Sequence, residues 1–221
     1  MTGFAVRLPD LPEEFPVFPL TGALLLPGGR LPLNIFEPRY IAMIEDSMAA
    51  GRVFGMVQPD PKLPHGDNGP ALYRIGCLGR LSAFSETDDG RYLITLTGLI
   101  RFSIVEELDM QRGYRQVRAA LSGFAADLET GLVPTSIPRE KLLSALRRYF
   151  KVQGVEANWD AITDMDDEEL VVTLSMACPF AADEKQALLE ARTANDRAQA
   201  LLALLEINAH DFGPDSDPKA V

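Results

Sequence analysis

Between Arg91 and Glu106 the chain reads RYLITLTGLIRFSIVE, a sustained alternation that belongs to extended backbone. Tyr92, Ile94 and Leu96 occupy one phase and Leu93, Thr95 and Thr97 the other; after Gly98, Phe102 and Ile104 alternate with Arg101, Ser103 and Val105. Period-two patterning rich in β-branched and aromatic residues predicts a strand. Gly98 near its middle predicts a bulge or bend, as a strand needs when it wraps around a small barrel. Asp89-Gly90 just upstream predicts a hairpin turn joining this strand to Gly79–Phe84.

The same grammar extends from Phe15 to about Leu121: short runs of Val, Ile, Leu, Phe and Tyr punctuated by Pro and Gly. One helix interrupts it. Pro38 suits a first helical turn, and Ile41, Ile44, Met48 and Ala49 follow at helical spacing as far as Gly51, predicting a stripe that covers an open end or face of the sheet. Gln58–Pro70, QPDPKLPHGDNGP, reads as an exposed loop.

After Gly131 the period becomes helical. Pro138–Val152 sets Leu142, Ala145, Leu146, Tyr149 and Phe150 on one side, with Gly154 as a stop. A second helix is predicted over Asp166–Ala177, with Leu170, Val171, Leu174 and Ala177 inward and carboxylates at its positive N-terminus. Asp183 with Gln186, and Thr193 with Asp196, have capping-box spacing and predict a short helix followed by a longer one that buries Ala198, Leu201, Leu202 and Leu205.

Charge narrows the function. At a net charge of −11 the surface repels phosphate backbones, so nucleic acid is not an expected partner, although a nucleic-acid-binding module is kept as an alternative. Met1–Phe15 lacks the apolar run of a signal peptide, and no stretch approaches the ~20 apolar residues of a membrane span, so a cytoplasmic protein without membrane contact is expected. Cys77 and Cys178 stand far apart in no CxxC pair and are read as reduced core thiols.

The search for chemistry returns little. The sequence has no GxxxxGK[ST] phosphate loop, no GxGxxG and no GxSxG, and Gly28-Gly29 reads as a turn. His65 and His210 have no ligand at metal-binding spacing, and the acidic run Asp164, Asp166, Asp167, Glu168 and Glu169 lacks the glycine and spacing of a calcium loop. No metal, no cofactor and no catalytic set is expected, leaving a small-ligand pocket in the β half as a further alternative. Arg139, Lys141, Arg147, Arg148 and Lys151 make one helix locally basic; Arg147, Arg148 and Lys151 are the candidates for a partner-facing surface.

The string from Phe18 to Tyr40, FPLTGALLLPGGRLPLNIFEPRY, resembles the opening of the substrate-recognition domain at the N-terminus of Lon, the ATP-dependent protease. The likeness runs through Pro19-Leu20, Leu25–Gly28, Leu31–Leu33 and Ile35–Tyr40, and continues with Gly55 and Val57, Gly76–Gly79, Gly98 with Arg101-Phe102, Gln186–Glu190 and Arg197. Most of these positions are structural types. Glu37 and Arg39 are the exception: beside Phe36 and Tyr40 they are expected either to pair, buried or half-buried, and lock strand to helix, or to touch a ligand.

What the resemblance implies is an α+β fold: an N-terminal pseudo-barrel of about six strands with one helix, PUA-like, followed by a helical lobe. The expected boundaries are an extension over 1–14, the barrel over 15–130, helices over 131–208 and a disordered tail over 209–221. The implied function is binding unfolded or exposed apolar polypeptide segments, alone or for a cellular protease or chaperone, without catalysis, since the sequence stops at Val221 with no ATPase or peptidase motif. Phe36, Glu37, Arg39 and Tyr40 are the candidate substrate-binding residues.

Overall fold

A computed structural model of the chain describes residues 6–129 and 137–210. It is α+β and divides into two compact units, Met1–Val133 and Pro134–Val221. The expected boundary near residue 130 lies outside the described residues, as does the expected tail over 209–221 except for Ala209 and His210, which are helical.

The first unit is built from β1 (Glu14–Pro19), β2 (Arg30–Ile35), α1 (Pro38–Ala49), β3 (Val53–Val57), β4 (Ile75–Glu86), β5 (Tyr92–Gln111) and β6 (Tyr114–Ala120). The six strands form one sheet in the order β2-β5-β4-β3-β1-β6, and a further β5–β6 pairing closes five of them into a ring. All pairs are antiparallel except β1 with β3, where Val17, Phe18 and Pro19 lie beside Gly55, Met56 and Val57.

Closure depends on β5. Its first half, from Tyr92 to Thr97, pairs with β2 on one edge and β4 on the other. Its second half, from Ser103 to Gln111, pairs with β6. The change of partner falls at Gly98, where the register against β4 slips between Leu78 and Gly79. Gly98 exchanges backbone bonds with the loop before β2, Gly28 N–H to Gly98 O at 3.0 Å and Gly98 N–H to Gly29 O at 2.9 Å. A Cβ at Gly98 would stand 2.0 Å from Leu26 O, so only glycine admits the approach. The bend expected at Gly98 and the turn expected at Asp89-Gly90 are both present.

Phe15, Val17, Leu78, Ile100, Phe102 and Val117 fill the ring, with Phe15 and Phe102 edge to face at 5.0 Å. The segment expected as a mere extension contributes Leu11 to this core. A short 3-10 segment, Ser122–Leu128, is held to the barrel by Asp127, whose half-buried carboxylate accepts from buried Arg101 at 2.8 Å from both Nε and an Nη nitrogen.

Helix α1 lies against β1, β3 and β6. Its inward residues are Tyr40, Met43, Ile44 and Ser47, while Ile41 and Met48 are half-buried and Ala49 is exposed. The expected stripe is therefore rotated by about a residue. The cause is that Tyr40, packed against Phe18 with the rings tilted and 4.2 Å apart, sets the helix phase, and a pattern of aliphatic residues alone does not count it.

The second unit comprises α2 (Arg139–Gln153), α3 (Trp159–Asp164), α4 (Asp167–Ala177), α5 (Ala182–Glu190) and α6 (Ala194–His210). Leu142, Leu146, Tyr149, Leu170, Leu174, Leu188, Leu201 and Leu205 are buried. Gly154 closes α2 in the left-handed conformation, Asp166 caps α4 by accepting from Glu169 N–H, and Thr193 and Asp196 form a reciprocal box at α6. For α5 the start differs from expectation: the cap is Ala181, whose N–H donates to Glu184 Oε2 at 2.7 Å, so Asp183 lies inside the helix. Short α3, capped by Asn158, was not anticipated; it is too brief to show a period. Phe150 and Leu202 are half-buried. Among the described residues no helix is long and apolar enough to cross a membrane.

Candidate functional site

The corner from β2 into α1 carries the four residues singled out by sequence. Ile35 pairs with Tyr92 and is buried; the next residue, Phe36, is 63% exposed, a large apolar side chain left in water. Glu37 is the N-cap position of α1, and Pro38 opens the helix, where its missing N–H costs nothing. Arg39 Nε donates to Glu37 Oε2 at 3.0 Å, and its guanidinium lies 4.5 Å from the Tyr40 ring centroid.

The Glu37–Arg39 pair is thus made, but between side chains 45% and 50% exposed, where such a contact contributes no more than about 1 kcal/mol. It is too weak to be the lock between strand and helix. Helix α1 is also tied to the β5–β6 hairpin through Asp46, which accepts from Arg112 Nη1 and from the Tyr114 hydroxyl, both at 2.8 Å. Burial and the neighbouring Asp46 carboxylate hold the Tyr114 phenol well above its usual range. Sequence spacing gave no signal for this hub, because its members are far apart in the chain.

Tyr40 corrects the candidate set. It is only 6% exposed, packed on Phe18, and burial raises its phenol, so it is core rather than a contact surface. Phe36, Glu37 and Arg39 are left at the surface.

Two further large apolar side chains are exposed on the same sheet, one on each face. The first half of β5, the second half of β4 and β2 form a three-stranded extension beyond the ring. At its tip Leu93 is 46% and Phe84 41% exposed, and the Phe84 and Tyr92 rings meet at 4.8 Å. Leu93 was visible as an apolar residue in the phase otherwise held by threonine; Phe84 was not, since its neighbour is set by cross-strand register. A separate cleft of about 450 Å³ is lined by Leu8, Pro9, Glu13, Val105, Arg118 and Ser122 among others, with Arg118 paired to Glu14 and Glu106.

Lys141, Arg147, Arg148 and Lys151 of α2 are exposed within the second unit, whereas Arg139 is half-buried and paired with Asp167. Arg147 lies over the Trp159 ring at 4.5 Å and Arg148 is 3.7 Å from Glu206, so both are engaged on their own unit, whereas Lys151 extends into solvent. Inside that unit burial raises the Cys178 thiol to about 12 and lowers Lys185, the signature of an inert thiol. Among the described residues no group of His, Cys, Asp or Glu could hold a metal ion.

Residues 14–206 match the family model of the ATP-dependent protease La (LON) substrate-binding domain. Lon protease 2 of Myxococcus xanthus is 33% identical over 98 residues, 44% of this chain and 12% of that protein. The Lon protease of Heliobacterium modesticaldum is 23% identical over 197 residues, 87% of this chain and 24% of that protein. The chain therefore spans a quarter or less of the length of these relatives. Among solved structures, a Lon N-terminal domain protein from Xanthomonas campestris shares the fold at a TM-score of 0.57 and 21% identity, covering 86% of this chain and 97% of that one. The N-terminal domain of the Mycobacterium avium complex Lon protease gives 0.55 and 19%, covering 90% and 98%. The six strands, the corner at Phe36 and the helices as far as Glu206 fall within the matched span, and the chain belongs to the LON substrate-binding domain family.

Proposed function

We propose that this protein is a non-catalytic recognition module that holds exposed apolar segments of other polypeptides in the cytoplasm, and presents them to, or withholds them from, a protease or chaperone of the same cell. The observation that carries this reading is Phe36, 63% exposed on a corner whose neighbours are fixed by packing. A large aromatic side chain held in water on a rigid support is how a surface pre-organises an apolar contact without an ordering cost on binding. Leu93 and Phe84 are further exposed apolar side chains at the tip of the sheet, on opposite faces of it. Family membership supports polypeptide substrates.

The test is fluorescence anisotropy of a labelled, permanently unfolded polypeptide titrated with the wild-type protein and with Phe36→Ser. Saturable binding weakened about tenfold or more by the substitution is expected, in line with loss of a central aromatic anchor. A wild-type protein that binds no unfolded chain defeats the proposal. Because Phe36 is exposed, the variant retains its thermal midpoint.

A further inference from the structure

The sheet that carries the apolar tip also has an open edge. Strand β3 accompanies β4 only as far as Val53 beside Arg80, and one more backbone bond, Leu81 N–H to Arg52 O at 2.8 Å, ends that partnership. From Ser82 to Glu86, β4 is paired on one side only, with β5, and all five residues are exposed. The register against β5 slips between Leu81 and Ala83, so the regular part of this edge runs from Ala83 to Glu86, and such an unpaired edge is a template for another strand. The other free edge of the extension, along β2, has Pro32 at its middle, which supplies no backbone donor.

Charge marks the two ends of the β4 edge differently. Arg52 and Arg80 are exposed where β3 stops, with no salt-bridge partner among the described residues. Glu86 and Asp88 are exposed at the opposite end, while Asp89 is neutralised by Arg91 at 2.8 Å. Midway, Phe84 presents an aromatic ring beside Tyr92.

We infer that the β4 edge from Ser82 to Glu86 takes an extended segment of a client polypeptide as an added antiparallel strand, continuing the line of β3. The client's N-terminal end then lies beside Glu86 and Asp88 and its C-terminal end beside Arg52 and Arg80. The complementary segment reads basic, apolar, acidic from N to C, its central side chain being the cross-strand neighbour of Phe84. This rests on the polypeptide-binding reading above and adds to it a binding mode and a direction.

Two labelled peptides of identical composition, KKTVFVTEE and EETVFVTKK, separate direction from general charge and hydrophobicity. The first is expected to bind the full chain at least about fivefold more tightly, and Glu86→Lys with Asp88→Lys to erase the difference. Backbone N-methylation of the first peptide at alternate residues is expected to weaken binding about tenfold or more in one phase and to be tolerated in the other, because only one set of N–H groups faces β4. Equal affinity for the two orders, or the same response to both methylation phases, overturns the inference. If the unfolded polypeptide still binds in that case, the recognition role stands without it; if neither peptide nor unfolded chain binds, both fall.

Discussion

Cys178 follows the last turn of α4 and is almost wholly buried, which raises its thiol from the usual 9.0 to about 12. The consequence for stability has a definite sign. Between those values the unfolded chain releases the thiol proton and the folded chain keeps it, so the unfolded state binds fewer protons and stability falls as pH rises. Tyr149, raised to about 12 by burial, adds in the same direction from near pH 10, whereas Lys185, lowered by burial, opposes both below its usual 10.5. Comparing the wild type with Cys178→Ala isolates the thiol: urea midpoints followed by helical circular dichroism are expected to fall more steeply above pH 9 in the wild type. Parallel pH profiles would show that the thiol is not held protonated. Cys178 is read from sequence as a core thiol because it has no paired cysteine, and it is buried, whereas Ala177, expected inward at the end of α4, is exposed. The burial of Tyr40 was not legible, because an aromatic residue between Arg39 and Ile41 reads equally as surface or core until its partner Phe18 is known.

Elements were legible where the order that defines them is local. The α2 stop at Gly154, the α6 box of Thr193 with Asp196, and the alternation of β5 each reside in a few neighbouring residues, and each is where the pattern put it. The phase of α1 and the cap of α5 shifted because Tyr40 packs against a distant strand and because Glu184, not Gln186, reaches back to the cap N–H. Strand β5 gives the sharpest test at this scale. Gly98→Ala drives a methyl group into Leu26 O and must either unseat the loop before β2 or straighten the strand. A loss of about 3 kcal/mol in unfolding free energy is expected, at the upper end of ordinary overpacking costs, and chemical denaturation measures it. A loss below about 1 kcal/mol would mean that the bend is not held by this approach.

For the molecule as a whole, the sequence implied a barrel through its resemblance rather than through its periods. Nothing in the alternation of β5 says that one half serves β2 and the other β6, or that β1 runs parallel to β3, since pairing between distant strands leaves no local trace. The candidate site was half visible for the same reason: Phe36 stood out in its motif, whereas Phe84 and the open edge of β4 exist only once the register is set. Net charge is the whole-molecule property with the plainest consequence. At −11, retention of RNA at physiological salt is expected to be negligible in a mobility-shift titration, and strong salt-dependent retention would turn attention to the basic face of α2.

Strand β1 is flanked by β3 and by β6, with Glu14 opposite Arg118. During synthesis, then, the first strand made waits for the last one of its unit. At about 5–20 residues per second, β1 leaves the ribosome on the order of ten seconds before β6 can cover it. Throughout that interval Phe15 and Val17, which the finished barrel buries, are presented to whatever chaperones surround the nascent chain. A protein proposed to hold exposed apolar segments thus spends the first moments of its own existence as such a segment.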